Sequence, residues 1–212
     1  MVITYYGLSC FKIQNGETVL VVDPFVKESG LTPPRFQAQV LLSTNSDPNH
    51  ANIEAIAGDP FVINTPGEFE VQNIFIQGLP SGRKGKDAGE TNTIYVIDWD
   101  GMRLCHLGNI TKSDLSEELK ESIGTPDILF VPVGGGDTLD PEEAAVVTNQ
   151  IEPRVTIPMR YKLPGIKLSL ASVEQFATEL GSEKPGAEEK FTFKKKDLPQ
   201  DGTRLVVLTP AR

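Results

Sequence analysis

Short apolar runs broken by Gly, Asn and Asp dominate the first half of the chain. Val2–Tyr6, Cys10–Gln14 and Thr18–Val22 are rich in β-branched and aromatic residues and predict three strands. Gly7-Leu8-Ser9 and Asn15-Gly16 separate them, and Asn-Gly supplies the positive φ that a tight hairpin turn needs. Val40–Ser43 predicts a fourth strand and His50–Ala57 a short helix. Pro60–Asn64, Phe69–Val71 and Asn73–Gly78 predict further strands. Pro80–Glu90, dense in Gly and charge, predicts a mobile loop.

The second half mixes strand and helix patterns. Thr93–Trp99 and Met102–His106 predict a hairpin about Asp100-Gly101. Ser113–Ser122 has helical spacing, with Ser113 or Asp114 as N-cap. Asp127–Val133 is an apolar strand that runs into Gly134–Gly136. Asp140–Gln150 is a helix with an Asp cap and Pro141 in its first turn, where a missing N–H costs nothing. Val155–Pro158 is a strand, and Ser169–Leu180 a helix closed by Gly181. Ser182–Glu189 reads as a polar linker, with strands near Lys190–Phe193 and Arg204–Leu208. Strands followed by helices, twice over, predict an α+β fold of two packed sheets with helices outside.

Composition narrows the function classes. At 212 residues the chain is expected to form a single domain over 1–212, long enough for one large core. Its 20 basic and 29 acidic side chains leave a net charge of −9, which opposes binding to nucleic acid or anionic membranes. The basic run Lys194–Lys196 reads as a solvated strand end. Cys10 and Cys105 both fall in apolar runs, so buried thiols and a reducing cytoplasm are expected. The N-terminus lacks the basic-then-apolar pattern of a signal peptide, and no apolar run approaches membrane-spanning length.

The chemistry-bearing segment is Leu41–Asn52, LLSTNSDPNHAN. Asn45, Asp47, Asn49 and His50 hold the spacing of an H-x-H-x-D-H zinc loop, with only His50 as that pattern requires. Around it stand Val21-Val22-Asp23-Pro24-Phe25, Pro66-Gly67-Glu68, His106-Leu107-Gly108-Asn109, Pro132-Val133-Gly134-Gly135 and Ile157-Pro158-Met159-Arg160-Tyr161. In this order the segments resemble the metallo-β-lactamase superfamily, near its lactonase-like branch of zinc-dependent hydrolases. The resemblance spans about the whole chain and implies a four-layer αβ/βα sandwich.

That resemblance also implies two zinc ions between the sheets, generating hydroxide from bound water. The implied ligand positions are occupied here by Asn45, Asp47, Asn49, Asn109 and Arg160, with Arg83 or a neighbour at the remaining one. An amide is a poor zinc ligand and a guanidinium cannot be one. Only Asp47 and His50 remain as metal candidates, too few for a catalytic zinc. The expectation is therefore a non-catalytic protein that needs no cofactor and binds a small anionic ligand or a protein partner. The alternative is a hydrolase of lactones or phosphoesters with a rebuilt single-metal or metal-independent site, using zinc or manganese at low occupancy. The resemblance further implies a homo-oligomer, or a subunit that stabilises an active homologue.

The remaining candidates read structurally. His106 is expected as a satisfied strand-end imidazole, Asp23 as a strand-end hydrogen-bonding group, and Gly134–Gly136 as a tight turn. Cys10 has no partner histidine, and Glu142-Glu143 suit a helix start. Arg160 is expected in the cleft, bonded to Asp47, Asn49 or Asn109, at a cost of roughly 3–5 kcal/mol if one partner of the buried pair is removed.

Overall fold

The computed structural model describes residues 1–82, 91–182 and 186–211. The chain opens with an antiparallel meander of β1 (Val2–Gly7), β2 (Cys10–Asn15) and β3 (Thr18–Val22). Asn15 pairs with Thr18 across the Asn-Gly turn, as the sequence predicts. β4 (Val40–Leu42) and β5 (Phe61–Ile63) then add in parallel to β3. β6 (Gly67–Val71), β7 (Ile74–Gly82), β8 (Thr91–Trp99) and β9 (Met102–His106) form a second antiparallel run. α1 (Glu117–Ile123) leads to β10 (Ile128–Pro132), α2 (Pro141–Ile151) to β11 (Val155–Met159), and α3 (Val173–Glu179) to the C-terminal strands. These are β12 (Ala187–Glu188), β13 (Phe191–Thr192), β14 (Arg204–Leu205) and β15 (Val207–Leu208).

Among the described residues, one sheet has the order β13-β1-β2-β3-β4-β5 and the other β14-β11-β10-β9-β8-β7-β6, with β12 and β15 paired separately. The period-two pattern of the first sheet explains how it packs. Ile3, Tyr5, Phe11, Ile13, Leu20, Val22, Val40 and Leu42 share the main core with residues of the second sheet. Their alternates Cys10, Val19, Val21 and Leu41 form a smaller core on the other face, against Phe25, Ala38 and Ile56. The rings of Phe11 and Phe130 lie 4.5 Å apart between the sheets, and Tyr95 on β8 donates to the carbonyls of Ser43 and Ile63 across the gap. The architecture is the α+β sandwich expected. Over the first sheet the covering layer consists of loops and the 3-10 turns Lys27–Ser29 and Ile53–Ala55.

Several element boundaries differ from the sequence expectation, for local reasons. His50–Ala57 makes only the turn Ile53–Ala55. The Asn52 N–H and side-chain amide are taken by the Pro24 and Phe25 carbonyls, which ties the segment to the β3 exit and leaves it without a cap. The helix expected over Ser113–Ser122 begins at Glu117, where Ser116 accepts from the Leu119 N–H. Thr111 and Asp114 instead close a separate 3-10 turn, Lys112–Asp114. The helix expected over Ser169–Leu180 is confined to Val173–Glu179 by a Ser172–Gln175 capping box. Asp140 and Glu143 form the same device on α2; the Asp140 cap and Pro141 in the first turn are as foreseen, and the return bond from Glu143 is added by the structure. Part of the expected polar linker is strand β12, and Pro80–Gly82 of the expected loop belong to β7. The rest of that loop, with Arg83, lies outside the described residues. No described helix is long and apolar enough to cross a membrane.

Candidate functional site

Parallel pairing brings the chemistry to one rim. β3 and β4 run parallel, as do β9, β10 and β11, so the C-terminal ends of each set lie side by side. Asp23 follows β3, the Thr44–His50 loop follows β4, Asn109 follows β9 and Arg160 follows β11. Asp137, in the turn after β10, completes the group. Asp23 and Arg160 both adopt left-handed backbone, at φ 50° and 53°, a strained conformation that clusters at functional sites.

The inner part of the rim is fully buried. Asp23 is 0% exposed and accepts three bonds. Its Oδ1 takes the Thr44 N–H at 2.8 Å, and its Oδ2 takes the Thr44 hydroxyl and His50 Nδ1, each at 2.8 Å. His50 Nε2 lies 3.1 Å from Arg160 Nη1. A guanidinium has no acceptor, so Nε2 must be the accepting nitrogen. His50 is then the neutral imidazole, with its proton on Nδ1 toward Asp23.

The outer part is held by Asp137. Arg160 Nη2 donates to its Oδ1 at 2.5 Å and Asn109 Nδ2 to its Oδ2 at 3.0 Å. Burial pushes the Asp137 carboxyl up, but the Arg160 charge and these two bonds outweigh it and hold the group below its ordinary value. Asn109 is fixed from behind, since its N–H donates to Asn92 Oδ1 at 2.7 Å. Asn92 in turn donates to Ser81 Oγ and the Leu107 carbonyl. This packing leaves no room at Gly108, where a Cβ would lie 2.3 Å from Asn92 Oδ1. Gly134 is equally constrained, with the Arg160 carbonyl oxygen 2.0 Å from a Cβ there.

Arg160 is buried in the cleft, as the sequence predicts, but its partners are His50 and Asp137 rather than Asp47, Asn49 or Asn109. Asp137 escaped notice because it lies beyond a glycine run and matches no ligand pattern. The remaining loop residues bond among themselves: the Asp47 N–H donates to Asn45 Oδ1, and the Asn49 N–H to Asp47 Oδ1. Asp47 thus caps the turn that delivers His50. His106 is satisfied: its Nε2–H faces the Ser9 carbonyl at 3.0 Å and its Nδ1 accepts the Gly108 N–H. Burial pushes its pKa down, consistent with a neutral ring. Burial also raises the thiols of Cys10 and Cys105, which are unpaired.

The profile of the beta-lactamase superfamily domain matches residues 2–160, which span both sheets as far as the rim arginine. The chain belongs to the metallo-β-lactamase superfamily. It is 27% identical over 188 residues to a metal-dependent hydrolase of Thermococcus onnurineus, covering 75% of this chain and 84% of that one. It is 28% identical over 222 residues to a metal-dependent hydrolase of Methanosphaera stadtmanae, covering 86% and 92%. Among solved structures it is similar to a Thermotoga maritima protein assigned to the Zn-dependent hydrolases of the superfamily, with TM-score 0.79 and 29% identity over 98% of this chain and 97% of that one. An isothiocyanate hydrolase from Delia radicum gut bacteria shares the fold at TM-score 0.71 and 13% identity.

The superfamily's zinc chemistry needs imidazole, thiolate or carboxylate lone pairs converging on one point. Among the described residues no group of three His, Cys, Asp or Glu is gathered in that way. His50 spends its one available lone pair on Arg160, and the Asp137 carboxylate is engaged by Arg160 and Asn109. A dication placed among these groups would sit beside a guanidinium. The residues present at this rim do not fit a zinc pair.

Proposed function

We propose that this chain is a non-catalytic member of the superfamily whose rim binds a ligand or partner without metal. The observation that carries the reading is the 3.1 Å contact between Arg160 Nη1 and His50 Nε2. It consumes the lone pair that a metal ion would require and puts a permanent cation beside it. The loop that begins at Arg160 also helps to wall a cavity of about 680 Å³ through Tyr161 and Leu163, opposite Val207 and Leu208. A cavity of this size and mostly apolar lining suits a small molecule.

Elemental analysis of protein purified without chelators tests the reading. Zinc and manganese far below one per chain, with no turnover of lactones, phosphodiesters or thioesters, is the expected result. Near-stoichiometric metal would overturn it. The relatives described as metal-dependent hydrolases favour a second reading, a rebuilt hydrolase in which Arg160 swings away and Asp47 and His50 hold one metal. In that case added zinc should raise the melting temperature, and His50→Ala should abolish the rise.

A further inference from the structure

Buried polar side-chain atoms in folded proteins nearly always have partners, so those that lack them point to something they are built to meet. Among the described residues five such atoms lack a hydrogen bond: Ser9 Oγ, Thr156 Oγ1, Asn49 Oδ1, Asn109 Oδ1 and Arg160 Nε. Three of the five belong to the rim. Asn109 and Arg160 bond to the two oxygens of the same carboxylate, Asp137, and Asn49 immediately precedes the His50 that contacts Arg160. Arg160 is only 6% exposed.

We propose that this rim binds a neutral carbonyl bearing an –NH₂ group, that is, a primary carboxamide or a ureido group. The inference rests on the metal-free reading of the site. The unpartnered set consists of one N–H donor, on Arg160, and two carbonyl acceptors, on Asn49 and Asn109. Its complement is one acceptor and two donors, which a primary carboxamide supplies on a single carbon. A carboxylate could accept from Arg160 but could not donate to Asn109 Oδ1. An ammonium could donate to the asparagines but could not accept from Arg160. The orientation of Asn109 is fixed, because turning its amide would set its oxygen against the Asp137 carboxylate. The charges agree with a neutral group. Arg160 is already paired with Asp137, and His50 is neutral against Asp23, so among the described residues of the rim no cation is left over to draw an anion.

The test uses the full chain labelled with ¹⁵N, after elemental analysis has established its metal content. Benzamide, N-phenylurea, benzoate and benzylamine are titrated separately, and the Arg160 Nε–H and the Asn49 and Asn109 side-chain amide signals are followed. Benzamide or N-phenylurea should shift all three signals saturably, and whichever binds more tightly distinguishes carboxamide from ureido. Benzoate and benzylamine should bind at least about tenfold more weakly, the cost of a mismatched buried hydrogen bond. Asn109→Ser and, independently, Asn49→Ala should each weaken benzamide by about tenfold, so a folding failure in one leaves the other decisive. Absence of saturable shifts in metal-free protein, as when bound water already serves these atoms, would overturn the inference. So would equal binding of benzoate. Stoichiometric metal would instead defeat the metal-free reading itself, before any titration.

Discussion

The inner and outer parts of the rim contrast in how they hold charge. Asp23 is wholly buried, and each of its three bonds runs to a buried donor on Thr44 or His50. Asp137 is about half in water, at 51% exposure, and shares its oxygens between Arg160 and Asn109. The inner part therefore depends on its neighbours for every bond it has, whereas the outer part can fall back on solvent. The stability of this site should reside in Asp23, and its adaptability in Arg160, Asn109 and Asp137.

Substitutions at four positions sharpen or break that contrast. Asp23→Ala should have the largest effect, about 3 kcal/mol or more in guanidinium unfolding, because three buried donors lose their acceptor together. Asp23→Asn should lose less, since it keeps the shape and asparagine tolerates the left-handed backbone. A loss from Asp23→Ala no greater than from a surface aspartate would erase the contrast. Gly134→Ala should follow at about 2–3 kcal/mol, because the added methyl meets the backbone oxygen of Arg160, which cannot turn aside. Thermal melting would check it, and an unchanged midpoint would show that the β11 exit can move.

Arg160→Ala should cost less, about 1–2 kcal/mol. The sequence alone suggested roughly 3–5 kcal/mol for a pair buried on both sides. The structure lowers that figure, because the stranded Asp137 can rehydrate and His50 carries no charge to strand. Arg160→Met should cost less again if packing around the side chain contributes. The smallest effect is expected from Asp137→Asn, under about 1 kcal/mol at neutral pH. Its signature lies in acid. The carboxyl titrates below its ordinary value in the folded chain, so its contribution is present above the ordinary 3.8 and is lost as pH falls through the lower folded value. Parent and variant should therefore converge in stability as unfolding is measured at progressively lower pH below 3.8.

Much of the fold could be read from the chain because its signals are local. Asn15-Gly16 marks its hairpin, and Asp140-Pro141 with Glu143 marks the start of α2. The helix expected after His50 failed because Asn52 is drawn to Pro24 and Phe25, a contact made only once β3 and β4 are paired. At the rim, the burial of Arg160 followed from the replaced ligand pattern, yet its partner did not. Asp137 is brought to Arg160 by the parallel alignment of β10 and β11, and no spacing in the sequence encodes that meeting. Asp23 could be recognised as a hydrogen-bonding residue, but its grip on His50 joins positions 27 residues apart.

The pairing of β1 with β13 has a consequence for synthesis of the protein. Val2 and Ile3 find their second neighbour only at Thr192 and Phe191, and the Met1 amine bonds to the Phe193 carbonyl. While the chain is still emerging from the ribosome, β1 has one bare side until Phe191 and Thr192 have been made. Its alternating apolar face is then an open edge to which other nascent chains could add. Products stalled or truncated before Phe191 should therefore be unusually sticky, and quality control should fall most heavily on chains that have not yet acquired β13.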